Sequence, residues 1–165
     1  METTSTSTAS DRVENPGGLV YGVVAIGTLM AAEGARRDTH AQVIEASCLA
    51  VLLYWLAHGY AGYVNTRAED PDSAVLRRLG RALVHELTIL IGAVVPLAAL
   101  VLAWAAGTSL AVGVNIAIGV AGAEIVALEV TDAVTRKLKA KDFVVEVATG
   151  VLLGVGVLGV RLLLH

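Results

Sequence analysis

Charge is what this 165-residue chain has least of: Asp, Glu, Lys and Arg supply 16% of it, against roughly 25% in a soluble domain. Its 12 Lys and Arg are outnumbered by 15 Asp and Glu, a formal net charge of −3. A nucleic-acid partner calls for a clustered basic excess, so none is expected. Cysteine is limited to Cys48, inside an apolar run. An intrachain disulfide or thiolate cage cannot be built from one cysteine, and Cys48 is expected as a small buried apolar residue. Enzyme signatures are missing too. There is no G-x-S-x-G, no P-loop and no H-E-x-x-H, and His85-Glu86 lacks the second histidine of a zincin helix. The chain is not expected to be an enzyme.

What is present is apolar length. The chain is 56% hydrophobic with a mean hydropathy of +0.72, the profile of a membrane protein. Residues 1–16, rich in Ser and Thr and closed by Pro16, read as a disordered polar tail. Arg12 and the run Leu19 to Ala32 imitate the first two parts of a secretory signal, but the cleavage site is poor, so the run is expected to stay.

Five apolar runs follow, with spans predicted over about 17–35, 41–64, 82–106, 110–130 and 143–164. The first is short for a span and holds Gly18 and Gly22 at small-xxx-small spacing, a face for close helix packing. Arg36 to His40 links it to the second, which has Glu45 near its start and Tyr54, Trp55, His58, Tyr60 and Tyr63 near its end. Rings grouped in this way settle at headgroup depth. In the loop Asn65 to Arg81, Asp72 or Ser73 could cap a short helix on the membrane surface that carries Arg77, Arg78 and Arg81. The third run contains Pro96, which predicts a kink or local opening. Gly107-Thr108-Ser109 then predicts a hairpin into the fourth run, whose glycines and alanines predict tight packing among other helices. Asp132 and Arg136 are spaced for an i,i+4 pair, and Gly150 and Gly154 repeat the small-residue spacing in the fifth run.

Nine of the twelve Lys and Arg fall on one side of these spans: Arg12, Arg67, Arg77, Arg78, Arg81, Arg136, Lys137, Lys139 and Lys141. The positive-inside rule then predicts a cytoplasmic N-terminus and, with five spans, an outside C-terminus. At 1.5 Å per residue, His58, His85, Glu86, Glu129 and Glu146 lie roughly 9 to 14 Å to the cytoplasmic side of the midplane, and Glu124 about 5 Å from it. Intramembrane ionisable groups are costly and usually face a bundle interior or a wet cavity. One reading of this layer is a cation or proton site, with Glu124 as the deep carrier and His58 and His85 as ligands or relays. Glu86, Glu129 and Glu146 would be charges at the mouth, and a divalent transition-metal ion is a possible ligand of the layer. The other reading is that these side chains snorkel to water or pair with basic loops. Tyr54, four residues before His58, could orient the imidazole through its hydroxyl. Glu33, Glu45 and Arg161 could form an ion pair on the outer side, and His40 is expected to face solvent.

At Val20-Tyr21-Gly22, Trp55-Leu56-Ala57-His58 with Tyr60, Arg81 to Glu86 and Leu162-Leu163-Leu164-His165, the chain resembles a group of small, uncharacterised actinobacterial integral membrane proteins. The likeness covers most of residues 19–165 and departs at Leu87-Thr88, where the group tends to have Trp-Pro. It implies architecture and bacterial origin and brings no activity. In layout the chain is also similar to the vacuolar iron transporter family, which implies five spans, a cytoplasmic N-terminus, a proline-bearing third helix and dimeric assembly. It departs in lacking that family's metal-binding domain and the acidic residue its first span uses for transport, so iron or manganese transport would rest on plan alone.

The sequence therefore predicts an all-α polytopic membrane bundle of five transmembrane helices in the bacterial inner membrane. Lipid surrounds it, and a homodimer or other membrane subunits are its expected partners. A transporter- or channel-like protein and a non-catalytic accessory or scaffold subunit are the two functions this architecture serves.

Overall fold

The computed structural model describes residues 16–66, 74–137 and 139–163. Its elements are α1 (Pro16–Glu33), α2 (His40–Thr66), α3 (Val75–His85), α4 (Leu87–Ala105), α5 (Leu110–Thr135) and α6 (Ala140–Leu163), with no strand among the described residues. Among the described residues three helices are long and apolar enough to cross a membrane: His40–Asn65, Val75–Ala105 with α3 and α4 taken together, and Leu110–Thr135. The apolar stretch of α1, Gly17–Glu33, is shorter.

Several predicted boundaries move. Pro16 belongs to α1 and not to the tail, in keeping with proline's fitness for a helix's first turn. The third run, predicted from Ala82, falls within the apolar length Val75–Ala105, where α3 ends at His85 and α4 begins at Leu87 with Glu86 between them. The cap predicted at Asp72 or Ser73 lies outside the described residues; the N-cap position of α3 is Ala74, with no side-chain cap. Pro96 sits buried within α4, which continues through it. The predicted hairpin forms, with Gly107 at φ +76°. There Gly107 N–H donates to Trp104 O and Thr108 N–H to Ala103 O, the paired bonds of a glycine-closed helix end.

The helix that organises the bundle is α1, which packs against α2, α4, α5 and α6. Val23, Ile26, Met30 and Ala31 on it are fully buried, together with Ile89, Leu100, Val114, Ile118 and Ile125 of α4 and α5. Lipid tails are as apolar as leucine, so close backbone approach holds such a bundle together, and glycine permits it. A Cβ on Gly22 would meet the Ile89 carbonyl oxygen at 2.0 Å, and one on Gly92 that of Leu19 at 2.3 Å. Between α5 and α6, Gly122 and Gly154 face each other backbone to backbone.

The outer faces stay apolar. Leu49, Leu53, Leu102 and Leu152 are 60%, 57%, 68% and 71% exposed. Side chains of this kind in such number mark a surface made for lipid. Cys48 lies on this exposed surface of α2, not buried as predicted; the helix turns its small apolar residue outward, where lipid receives it as readily as a core does.

Candidate functional site

Five of the six predicted site residues lie towards the ends of their helices, in two groups, while Glu124 stands alone near the middle of α5. The first group joins α1, α2 and the α3/α4 break. The ring of His58 lies 4.2 Å from that of Tyr54 and 6.2 Å from that of Tyr21. Its Nδ1 is 3.2 Å from the backbone carbonyl of Tyr54. The carbonyl, and not the predicted hydroxyl, orients the imidazole, because a residue four positions back on a helix offers its carbonyl first. His85 Nδ1 lies 3.2 Å from Glu86 Oε1, and Tyr54 is within electrostatic reach of both Tyr21 and Glu86. Trp55 fixes the break from the side, its indole N–H donating to Leu83 O at 3.0 Å.

The second group follows the antiparallel α5/α6 seam outward from Gly122 and Gly154. Glu129 comes next, its chain lying over Gly150, where a Cβ would meet Glu129 Cγ at 2.6 Å. Two helical turns further, Arg136 makes the predicted i,i+4 pair with Asp132 and reaches across to both carboxylate oxygens of Glu146 at 3.0 Å. These carboxylates, Asp132 above all through its hydrogen bond, push the Arg136 pKa above its already high ordinary value. Arg136 is a cation already committed.

A cavity of about 500 Å³ opens beside this seam, lined by Val20 and Tyr21 of α1, Leu128, Glu129 and Asp132 of α5, Arg136, and Leu153 of α6. Apolar walls with a few convergent polar groups are the usual make-up of a small-ligand site. Glu129 makes no ion pair among the described residues. It feels Glu146 and Asp132 in addition to Arg136. Three carboxylates thus share one guanidinium, and the rim carries excess negative charge. One turn inward from Leu128, Glu124 Oε2 is buried with no hydrogen-bond partner.

Tyr21 was singled out in the sequence only within the Val20-Tyr21-Gly22 likeness, yet it lies beside His58 and lines the cavity, so it borders both groups. Its signal was adjacency to Gly22, which draws α1 against α4 and fixes where the ring points. Among the described residues no three His, Cys, Asp or Glu side chains converge as a set able to hold a metal ion. The described side chains therefore supply no transition-metal cage.

At the opposite end, one expectation is corrected. His40 is 9% exposed rather than solvent-facing. It stacks on Trp104 with ring centroids 6.0 Å apart and planes 7° from parallel, and its Nε2 has no hydrogen-bond partner. Thr39 starts α2 by accepting from Gln42 N–H at 3.3 Å, which turns the next side chain inward onto the bundle. Glu33 pairs with Arg37 at 2.7 Å, its neighbour one turn along the chain; the pairing predicted for Glu33 and Glu45 with Arg161 falls on a side chain outside those described.

Comparison of the chain with protein-family models, with curated proteins and with solved structures gives no match.

Proposed function

We propose that the chain is a small transporter- or channel-like protein of the bacterial inner membrane, crossing it five times with its N-terminus cytoplasmic. It passes a proton or small monovalent cation through the α1/α5/α6 cavity. The observation that carries this reading is the charge lining the cavity: Glu129 and Asp132 against the single Arg136, which Glu146 engages as well, with Glu129 unpaired among the described residues. An acidic rim concentrates cations where the solvent meets a low-dielectric wall. Glu129 is then the acceptor at the mouth and Glu124 the deeper carrier. Arg136 positions Asp132 and Glu146, leaving Glu129 the free member. His58 and His85, on the far side of Tyr21, act as proton relays, imidazole being the side chain that exchanges protons near neutral pH. Orientation is supported by the sequence's charge distribution, in which nine of the twelve Lys and Arg fall on one side of the five predicted spans.

The test is proton and monovalent-cation flux in proteoliposomes, native chain against Glu124→Gln and Glu129→Gln. The native protein should conduct, and Glu124→Gln should lower flux by about a hundredfold, the low end of what a positioned proton-transfer group contributes. Absence of flux above empty liposomes, with the protein folded, would overturn the proposal in favour of an accessory subunit, and a fixed membrane partner on purification would then identify its complex.

A further inference from the structure

Helix α3 carries two parallel stripes, of which the proposed conduction uses His85 alone. Leu76, Gly80 and Val84 form one and Arg77, Arg81 and His85 the other, each at i, i+4, i+8 and so each along one line of the helix. The remaining face is taken: Leu83 meets Gly59, Ala82 meets Gly62, and Arg78 sits over the Tyr63 ring at 5.9 Å. These contacts run α3 back along the end of α2, antiparallel to it. Tyr63 is ten residues from the centre of α2, so it and Arg78 lie about 15 Å from the midplane, at the headgroup boundary.

At that depth the two free stripes point away from the bundle. Leu76 is 82% and Val84 66% exposed, Arg77 and Arg81 are exposed, and a Cβ on Gly80 would meet nothing within 4 Å. Neither Arg77 nor Arg81 makes an ion pair among the described residues. An exposed apolar trough beside an exposed arginine pair has the two chemistries of a phospholipid side by side. We propose that α3 is a docking surface for an anionic phospholipid of the surrounding leaflet. Its phosphate is held by Arg77 and Arg81, and an acyl chain lies along Leu76, Gly80 and Val84. Guanidinium forks suit phosphate oxygens, and the stripe from Leu76 to Val84 runs from the headgroup boundary towards the start of α4, the direction an acyl chain takes. His85, engaged with Glu86, marks the inner limit of the headgroup site.

Native mass spectrometry of the whole protein, released from mixed micelles with equal amounts of phosphatidylglycerol and phosphatidylcholine, reads the preference directly. The native chain should retain phosphatidylglycerol, and Arg77→Gln with Arg81→Gln should reduce the preference about fivefold per arginine, matching ~1 kcal/mol per basic residue at an anionic leaflet. Lys139→Gln with Lys141→Gln, which removes equal charge elsewhere, should leave it intact. Gly80→Glu serves as a second variant if the double one is not recovered folded: it enters open space and should also abolish retention. A preference absent from the native chain, kept by both α3 variants, or lost equally in the lysine variant would overturn the proposal. So would a dimer that carries no lipid and is broken by the α3 variants, since a second copy would then own the surface.

Discussion

The α1/α4 crossing and the α5/α6 seam are both built on glycine, Gly22 and Gly92 in the first, Gly122, Gly150 and Gly154 in the second. In the first, the space a side chain would take is filled by backbone carbonyls, with the buried Val23, Ile26, Ile89 and Ala93 around it. In the second, backbones face each other at Gly122 and Gly154; further out Glu129 fills the space over Gly150, and Arg136 bridges to Glu146. Glycine filled by backbone holds two helices at a fixed distance. Where a carboxylate's chain fills the space instead, the helix lends its surface to a movable charge. One sequence device thus serves architecture in one place and, under the proposed function, chemistry in the other.

The sharpest break of this comparison is Gly92→Ala. Its Cβ would fall 2.3 Å from the Leu19 carbonyl oxygen, and backbone cannot swing aside. The expected cost is ~3 kcal/mol, the upper end of overpacking penalties, seen as a large fall in thermal midpoint in detergent. Gly119→Ala, where nothing lies within 4 Å, should leave the midpoint unchanged or slightly raised. Equal losses in the two variants would mean that crossing distance is not what glycine sets here.

A smaller effect separates the seam from the crossing. Gly150→Ala would press on Glu129 Cγ, 2.6 Å from the new Cβ, and a flexible side chain can give way. Stability should change by no more than about 1 kcal/mol, while proton flux through the proposed site changes severalfold because Glu129 is displaced from the rim. Thermal midpoint and flux measured on the same preparation decide it: a fall in midpoint as deep as that of Gly92→Ala would make the seam merely structural.

Much of this was legible in the sequence. Apolar run length gave the helices, Gly107 the hairpin, Gly22 a packing face, and Asp132 with Arg136 their pair, because each depends on residues close along the chain. Rotation about each helix axis was not legible, and the misses follow from it. A run of nearly uniform apolarity shows no preferred face, so Cys48 was placed inside when it faces out, and His40 outside when it faces in. The break at Glu86 was hidden for a related reason: α3 is amphipathic, but its apolar positions merge with the run after Leu87. Tyr21 bordering both ionisable groups depends on three helices meeting, which no single run records.

His40 gives the last and smallest contrast, at the end of the bundle away from the charges. Its ring is buried against Trp104, and a Cβ on Gly113 would meet its Nε2 at 3.0 Å, yet that nitrogen has no partner among the described residues. A buried polar atom left unsatisfied costs about 1 to 3 kcal/mol, whereas an apolar ring of similar shape costs nothing in desolvation. His40→Phe keeps the stack and removes the orphan nitrogen, so it should raise stability by about 1 kcal/mol. His40→Ala removes the ring as well and should lower stability by about 2 kcal/mol through the cavity left beside Trp104. Thermal midpoints of the two variants should therefore move in opposite directions from the native value. If His40→Phe instead destabilises, Nε2 has a partner that matters in the membrane, and this end of the bundle is polar by design, like the α5/α6 seam.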